Sequence, residues 1–201
     1  MPHITVLDQS TINKIAAGEV IERPSSVVKE LLENAIDAQA TAVTVEIRDG
    51  GISYIRVTDN GCGIPKEEVP LAFLRHSTSK IKSVEDLFTV SSLGFRGEAL
   101  SSIASVAQVE LITKTSEQLS GTRYQIEGGV ERSYEEVGAP DGTTFLVRNL
   151  FYNTPARQKF LKTAQTEGSH VAALVEKIAM SHPDISIRFI QNNQNRLHTS
   201  G

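Results

Sequence analysis

The chain has 201 residues, 39% of them hydrophobic and 22% charged, with a formal net charge of −4. That size and balance suit one globular domain with its own core, and they exclude a disordered chain or one whose whole surface is basic enough to track nucleic acid. No apolar run approaches the ~20 residues that cross a bilayer. The opening residues MPHITVLDQS lack a basic stretch followed by an apolar one, so no secretory signal is expected. A single cysteine, Cys62, leaves no internal disulfide and fits a reducing compartment, and few aromatics with no Trp weigh against a base-stacking platform.

Helical periodicity opens the chain. Ile12, Ile15, Ala16, Val20 and Ile21 predict a first short helix. Pro24 suits the first turn of a second, about Ser25–Ala38, because a missing N–H costs little there. Val28, Leu31, Leu32, Ala35 and Ile36 form its apolar face, with Glu30, Asn34 and Asp37 on the opposite side. Ala42–Arg48 and Ser53–Thr58 alternate as strands around the turn signal Asp49-Gly50-Gly51 and predict a hairpin. Asp59–Pro65 then breaks regular structure, and Lys66–Phe73 reads as helical. Arg75–Phe88 is polar and weakly periodic. Val90–Leu93 leads into Gly94-Phe95-Arg96-Gly97 and a helix over Glu98–Val106.

Four strands are predicted next, over Ala107–Lys114, Thr122–Glu127, Arg132–Glu136 and Thr143–Asn149. A helix over about Thr166–Met180, a strand over Ile185–Gln191 and a turn at Asn192-Asn193 follow. The end at Gly201, just past that turn, is expected to be a truncation. Helices mixed with hairpin-joined strands predict an α+β fold: a two-layer sandwich of a mixed, mainly antiparallel sheet with helices on one face. Regular βα alternation, which a doubly wound parallel sheet requires, is missing.

Several short motifs can carry chemistry. Glu30, Asn34 and Asp37 lie about one helical turn apart, so hard oxygen donors can converge on Mg²⁺ and a carboxylate can act on a bound water. Taken alone, this stripe reads as an ordinary solvated helix face. Asp59-Asn60-Gly61-Cys62-Gly63 sets a carboxylate at a strand end before two glycines, a pattern that lets backbone approach a ring or simply makes a turn. Gly94–Leu100 places two glycines before a helix, where free N–H groups favour an anion, although it matches no standard phosphate loop. Gly142-Thr143-Thr144 begins a strand, where threonine can bind a ligand or water or serve structure alone. Arg75–Lys82, RHSTSKIK, can close over a phosphate or be a plain exposed loop. Arg157, Lys159 and Lys162 can touch a phosphate backbone or be solvated surface. The five histidines are scattered without zinc spacing, and no nucleophile elbow occurs.

Together the motifs say more than each alone. KELLENAIDA, DNGCGI, GFRGEALSSIASV and GTT, in that order, resemble the four nucleotide-binding motifs of the GHKL ATPases: type II topoisomerase subunits, heat-shock chaperones, sensor histidine kinases and MutL proteins. IAAGEVIERPSSVVKELLENAIDA, RHSTSK, GFRGEALSSI and FYNTPARQKFL look specifically like the MutL branch, and the likeness runs from about Ile12 to Leu161. The resemblance implies that residues 1–201 form the ATP-binding domain, with transducer-like and C-terminal dimerisation domains lying outside it. It implies ATP and Mg²⁺ as cofactors. Glu30 would activate the attacking water and Asn34 would coordinate the metal. Asp59 would accept the adenine amino group, Gly61 and Gly63 would let the loop pack against the base, and Thr143 would help through a water. Gly94, Phe95, Arg96, Gly97, Glu98, Ala99 and Leu100 would offer backbone N–H groups to the phosphates, and Thr78 and Lys80 would belong to a lid. Asp37 would stand behind these residues or make cap contacts.

In this family a lysine from the following domain reaches the γ-phosphate, so slow hydrolysis is expected of this chain by itself. ATP-driven N-terminal dimerisation is implied, as are contacts with a MutS-type mismatch-recognition protein, with DNA (weak and salt-sensitive) and with a downstream nuclease or helicase. The expected location is the cytoplasm and nucleoid of a bacterium, or the nucleus of a eukaryote. A non-hydrolysing adaptor is the second reading, but it would favour loss of Glu30 or Asn34, and both are present. A kinase or topoisomerase subunit lacks support from GFRGEAL, and a plain DNA-binding module lacks support from the acidic composition.

Overall fold

The computed structural model describes residues 5–75 and 97–201. It is an α+β two-layer sandwich built on one open eight-stranded sheet. Two helices come first, α1 (Gln9–Val20) and α2 (Pro24–Asp37). The hairpin β1 (Ala42–Arg48) and β2 (Tyr54–Asp59) follows, then α3 (Ala99–Val106). A meander of β3 (Gln108–Lys114), β4 (Gly121–Glu127), β5 (Val130–Val137) and β6 (Gly142–Arg148) comes next. The chain closes with α4 (Pro155–Phe160), α5 (Ala164–Ser181), β7 (Ser186–Gln191) and β8 (Gln194–His198). The strand order is β5-β4-β3-β6-β2-β1-β7-β8, and every pairing is antiparallel except β1 with β7. That one parallel pair returns the chain to the sheet through the α4–α5 crossover.

The inner strands bury one face by alternation. Ile187, Val43, Val57, Phe145, Leu111 and Tyr124 are among its buried side chains, and α2, α3 and α5 lie against it while α1 packs on α3. Val27, Val28, Leu31, Leu32 and Ala35 supply the buried side of α2. The other face is polar. Glu46 is buried there beneath Arg56 at 2.5 Å and Arg48 at 3.3 Å. Glu110 lies beneath Arg123 at 2.8 Å and Arg148 at 3.1 Å. Burial alone would raise the carboxyl of Glu110, but its bonds to Arg148 and Arg123 hold it below the ordinary value.

Most of the predicted elements are present within a residue or two of their expected bounds; one reading is corrected, and three features go beyond what was read. Lys66–Phe73 is not one helix but two 3-10 turns, Lys66–Glu68 and Leu71–Phe73, because Pro70 offers no N–H to carry a helix through. The turn at Asp49–Gly51 is itself a 3-10 segment, with positive φ at all three residues. Helix α4 was not expected: its six residues bury none of their side chains, so no apolar stripe marks it. Strand β8, QNRLH, was read only as far as its turn, because it is mostly polar and forms a sheet edge. Most of Arg75–Phe88 and all of Val90–Leu93 lie outside the described residues. Among the described residues no helix is long and apolar enough to cross a membrane.

Phe189 is fully buried on β7 beside β1. Phe189→Ala is expected to cost about 3–5 kcal/mol. The loss should show in urea unfolding as a lower midpoint at unchanged slope.

Candidate functional site

The site forms where β2, β6 and β3 end side by side. Asp59 pairs with Thr143, and Thr143 pairs with Thr113. Asp59 closes β2 on the helix-covered face, only 9% exposed. Its Oδ1 accepts the N–H of Gly61 at 2.8 Å, and the backbone N–H of Thr143 on the adjacent strand also favours the ionised form. Burial pushes its carboxyl above the ordinary range, while those two N–H groups pull it down.

A hydroxyl network continues from there. Thr113 Oγ1 donates to the Gly142 carbonyl at 3.1 Å and accepts the N–H of Ile64 at 2.9 Å. With its single proton used on Gly142, it accepts from Thr143 Oγ1, which lies 3.0 Å away. Oγ1 of Thr143 therefore keeps its lone pairs for other donors. Thr113 was not singled out from the sequence. The signal was a polar residue at an inward position of an otherwise apolar alternation, Val109, Leu111, Thr113.

The loop after Asp59 is pressed onto the end of α2. A Cβ on Gly61 would stand 2.8 Å from both the Cβ and the carbonyl oxygen of Ala38, and Cys62 N–H donates to that carbonyl at 3.0 Å. Gly63 has φ 73°, and a Cβ there would overlap the carbonyl of Lys114. Asn60 Oδ1 accepts the N–H groups of Thr41 and Ala42, both at 2.9 Å, and so ties the loop to the start of β1. Asn34 is one turn back from Ala38 along α2, and Glu30 roughly one turn further.

The polar stripe of α2 is only partly open to solvent. Glu30, Asn34 and Asp37 are all half-buried, and the exposed side belongs to Lys29. Lys29 pairs with Glu33 at 2.9 Å and stands 3.9 Å from Glu30. The structure thus brings Asp59, Gly61, Gly63 and Thr143 together and sets Asn34 and Glu30 on the helix that the loop touches. At the start of α3, Gly97 has φ 61°, Glu98 takes the cap position without a side-chain cap, and Ala99 and Leu100 begin the helix, all four half-buried. Gly94, Phe95, Arg96, Thr78 and Lys80 lie outside the described residues. Lys159 and Lys162 are exposed, but Arg157 turns inward and its Nη1 donates to the Ile21 carbonyl at 3.5 Å, so it is not free solvated surface. Among the described residues no three His, Cys, Asp or Glu side chains cluster as a metal cage.

Comparison with known proteins identifies the family. Residues 21–141 match the family described as histidine kinase-, DNA gyrase B-, and HSP90-like ATPase. The chain belongs to that family. Its likeness within it is to the MutL branch. It is 72% identical over its whole length to a DNA mismatch repair protein MutL of Agathobacter rectalis, covering 31% of that protein. It is 55% identical over 96% of its length to the MutL of Desulforamulus reducens, covering 30% of it. The chain thus spans about a third of these relatives. Among solved structures, the Aquifex aeolicus MutL ATPase domain complexed with ADP superposes with a TM-score of 0.71 at 35% identity, over 90% of this chain and 65% of that one.

The raised carboxyl of Asp59 has a consequence for stability. A folded-state value above the unfolded one means that the fold pays more than the unfolded chain to ionise this group. The penalty is absent at low pH, grows as pH climbs from the unfolded value through the raised folded value, and persists above it. Asp59→Asn is therefore expected to melt at or above the wild-type temperature at pH 7, with the difference shrinking toward pH 4. A large loss at pH 7 that persists at pH 4 would contradict this.

Proposed function

We propose that this chain binds Mg·ATP at the Asp59 loop, α2 and the start of α3, and hydrolyses it slowly as the nucleotide switch of a mismatch-repair protein. The observation that carries the reading is the buried carboxylate of Asp59. It is held by the Gly61 N–H at the mouth of a loop whose glycines allow close backbone approach. A carboxylate so held accepts the exocyclic amino group of adenine and finds no matching donor on the carbonyl of guanine. Thr143, donating to Thr113, offers its lone pairs beside it, suited to a bridging water. The ADP complex of the Aquifex aeolicus domain supports an adenine nucleotide as the ligand.

The residues of α2 suit a divalent ion, since Asn34 and Glu30 present hard oxygens and stand half-buried one turn apart. Asn34 would hold Mg²⁺ together with phosphate oxygens, and the ion would neutralise charge on the phosphates. Without a carboxylate cage in the described residues, most of the ion's ligands would come from nucleotide and water. Glu30 orients a water and takes its proton as the water attacks the γ-phosphorus. The bond to the β–γ bridging oxygen breaks, leaving ADP and inorganic phosphate. The N–H groups at Gly97–Leu100, at the positive end of α3, would receive the phosphates, a role the proposal extends to Gly94–Arg96. Thr78 and Lys80 act in the lid, and Asp37 supports the end of α2.

Nucleotide-gated dimerisation of two such domains, and through it contact with a MutS-type protein, DNA and a downstream nuclease or helicase in the cytoplasm, complete the proposal. It is supported by the 72% identity to a mismatch-repair MutL.

Calorimetry with Mg²⁺ and a non-hydrolysable ATP analogue tests the site. Wild type is expected to bind with preference over the GTP analogue. Asp59→Ala and Asn34→Ala are expected to lose at least about tenfold in affinity, the cost of leaving a buried donor or the metal without its partner. Glu30→Ala should keep binding yet lose about 10²–10⁴-fold in turnover. No binding by wild type would sink the proposal.

A further inference from the structure

Gly18 lies in the last turn of α1, where alanine still favours the helix over glycine. The structure shows what fills the space beside it. A Cβ on Gly18 would overlap Cζ, Nη1 and Nη2 of Arg157, so the guanidinium occupies the space a side chain would need. Nη1 of the same group donates to the carbonyl of Ile21. Ile21 is the C-cap of α1 and is fully buried. Only Glu22 and Arg23 separate it from Pro24, the first residue of α2. A cation at the C-terminal carbonyls of a helix is favourably placed against the helix dipole.

The other end of this contact is equally anchored. Arg157 belongs to α4, which leaves a tight corner after β6. Phe151 in that corner is fully buried, and its N–H donates to the Val106 carbonyl at the end of α3 at 2.7 Å. Asn153 Nδ2 donates to the carbonyl of Ser105 at 2.9 Å. One guanidinium thus joins the corner that holds the end of α3 to the junction from which α2 starts.

We propose that Arg157 is a positioning residue for the nucleotide site: a strut, seated on Gly18, that sets where α2 begins and hence where Glu30 and Asn34 stand. This rests on the nucleotide reading above. Arginine is required because the planar, branched head fills the glycine gap and still reaches the carbonyl. Lysine can offer charge but cannot cover both.

The test is a double-mutant cycle on the 201-residue chain with Gly18→Ala, Arg157→Ala and the pair together. The readouts are affinity for the Mg²⁺-bound ATP analogue and hydrogen exchange over residues 24–30. Each single change is expected to weaken affinity about tenfold, a coupling of ordinary size between contacting residues. The double variant should be no weaker than Arg157→Ala alone, because Gly18→Ala acts only by expelling the guanidinium. Arg157→Lys should restore part of the loss, and Arg157→Ala should speed exchange in the first turn of α2.

Single variants that bind like wild type, or losses that multiply in the double variant, overturn the proposal. So does a lower melting temperature with unchanged affinity, which is what a merely structural arginine would give. If wild type binds no nucleotide, the proposed function fails, and unchanged exchange over 24–30 in Arg157→Ala then removes the strut as well. If exchange rises there, the strut stands and only its link to nucleotide is lost.

Discussion

The buried carboxylate of Asp59 is the constraint around which the site is organised. An ionised group removed from water costs several kcal/mol unless donors replace the solvent. Here the Gly61 N–H of the following loop bonds the carboxylate at 2.8 Å, and the Thr143 N–H of the adjacent strand helps to favour its charge. That requirement propagates. The loop must turn back at once to present Gly61, which brings it against Ala38 at the end of α2. Gly63 must take a left-handed backbone to pass the Lys114 carbonyl, and Ile64 is then caught by Thr113. The strand ends, the loop and the end of the helix that carries Asn34 and Glu30 are consequently tied together.

The sheet gives that unit a stiff support, and its two faces do so by different means. The helix-covered face is held by apolar burial. The open face is held by carboxylates sunk beneath arginines, Glu46 under Arg48 and Arg56, and Glu110 under Arg123 and Arg148. Tyr54 lies between Arg48 and Arg148, with the guanidinium carbons 4.9 and 5.9 Å from its ring centroid. The edge strand β5 carries Glu131, Arg132, Glu135 and Glu136, a charged rim that discourages a further strand from pairing.

Legibility followed burial. Where a segment packs one face on the core, as in α2, α5 and the inner strands, its period was readable. Helix α4 and strand β8 have no such stripe. Their conformations come from chain closure and from pairing at the sheet edge, which local sequence does not carry. The polar stripe of α2 shows what spacing leaves out. Spacing placed Glu30, Asn34 and Asp37 away from the apolar face, but spacing is blind to a loop from elsewhere in the chain that touches the same helix near Ala38.

The sequence by itself determined the alternation that makes a one-sided sheet, the amphipathic helices that cover it, and the ordered motifs that mark a GHKL ATPase of the MutL branch. These are properties of neighbouring residues and their periods. Only the tertiary structure decided that Asp59 is buried and its carboxyl raised, that Thr113 completes the Thr143 network, and that Arg157 fills the gap at Gly18 rather than facing solvent. Each of these joins residues tens to more than a hundred positions apart, and burial and hydrogen-bond partners across such distances exist only once the chain has closed on itself.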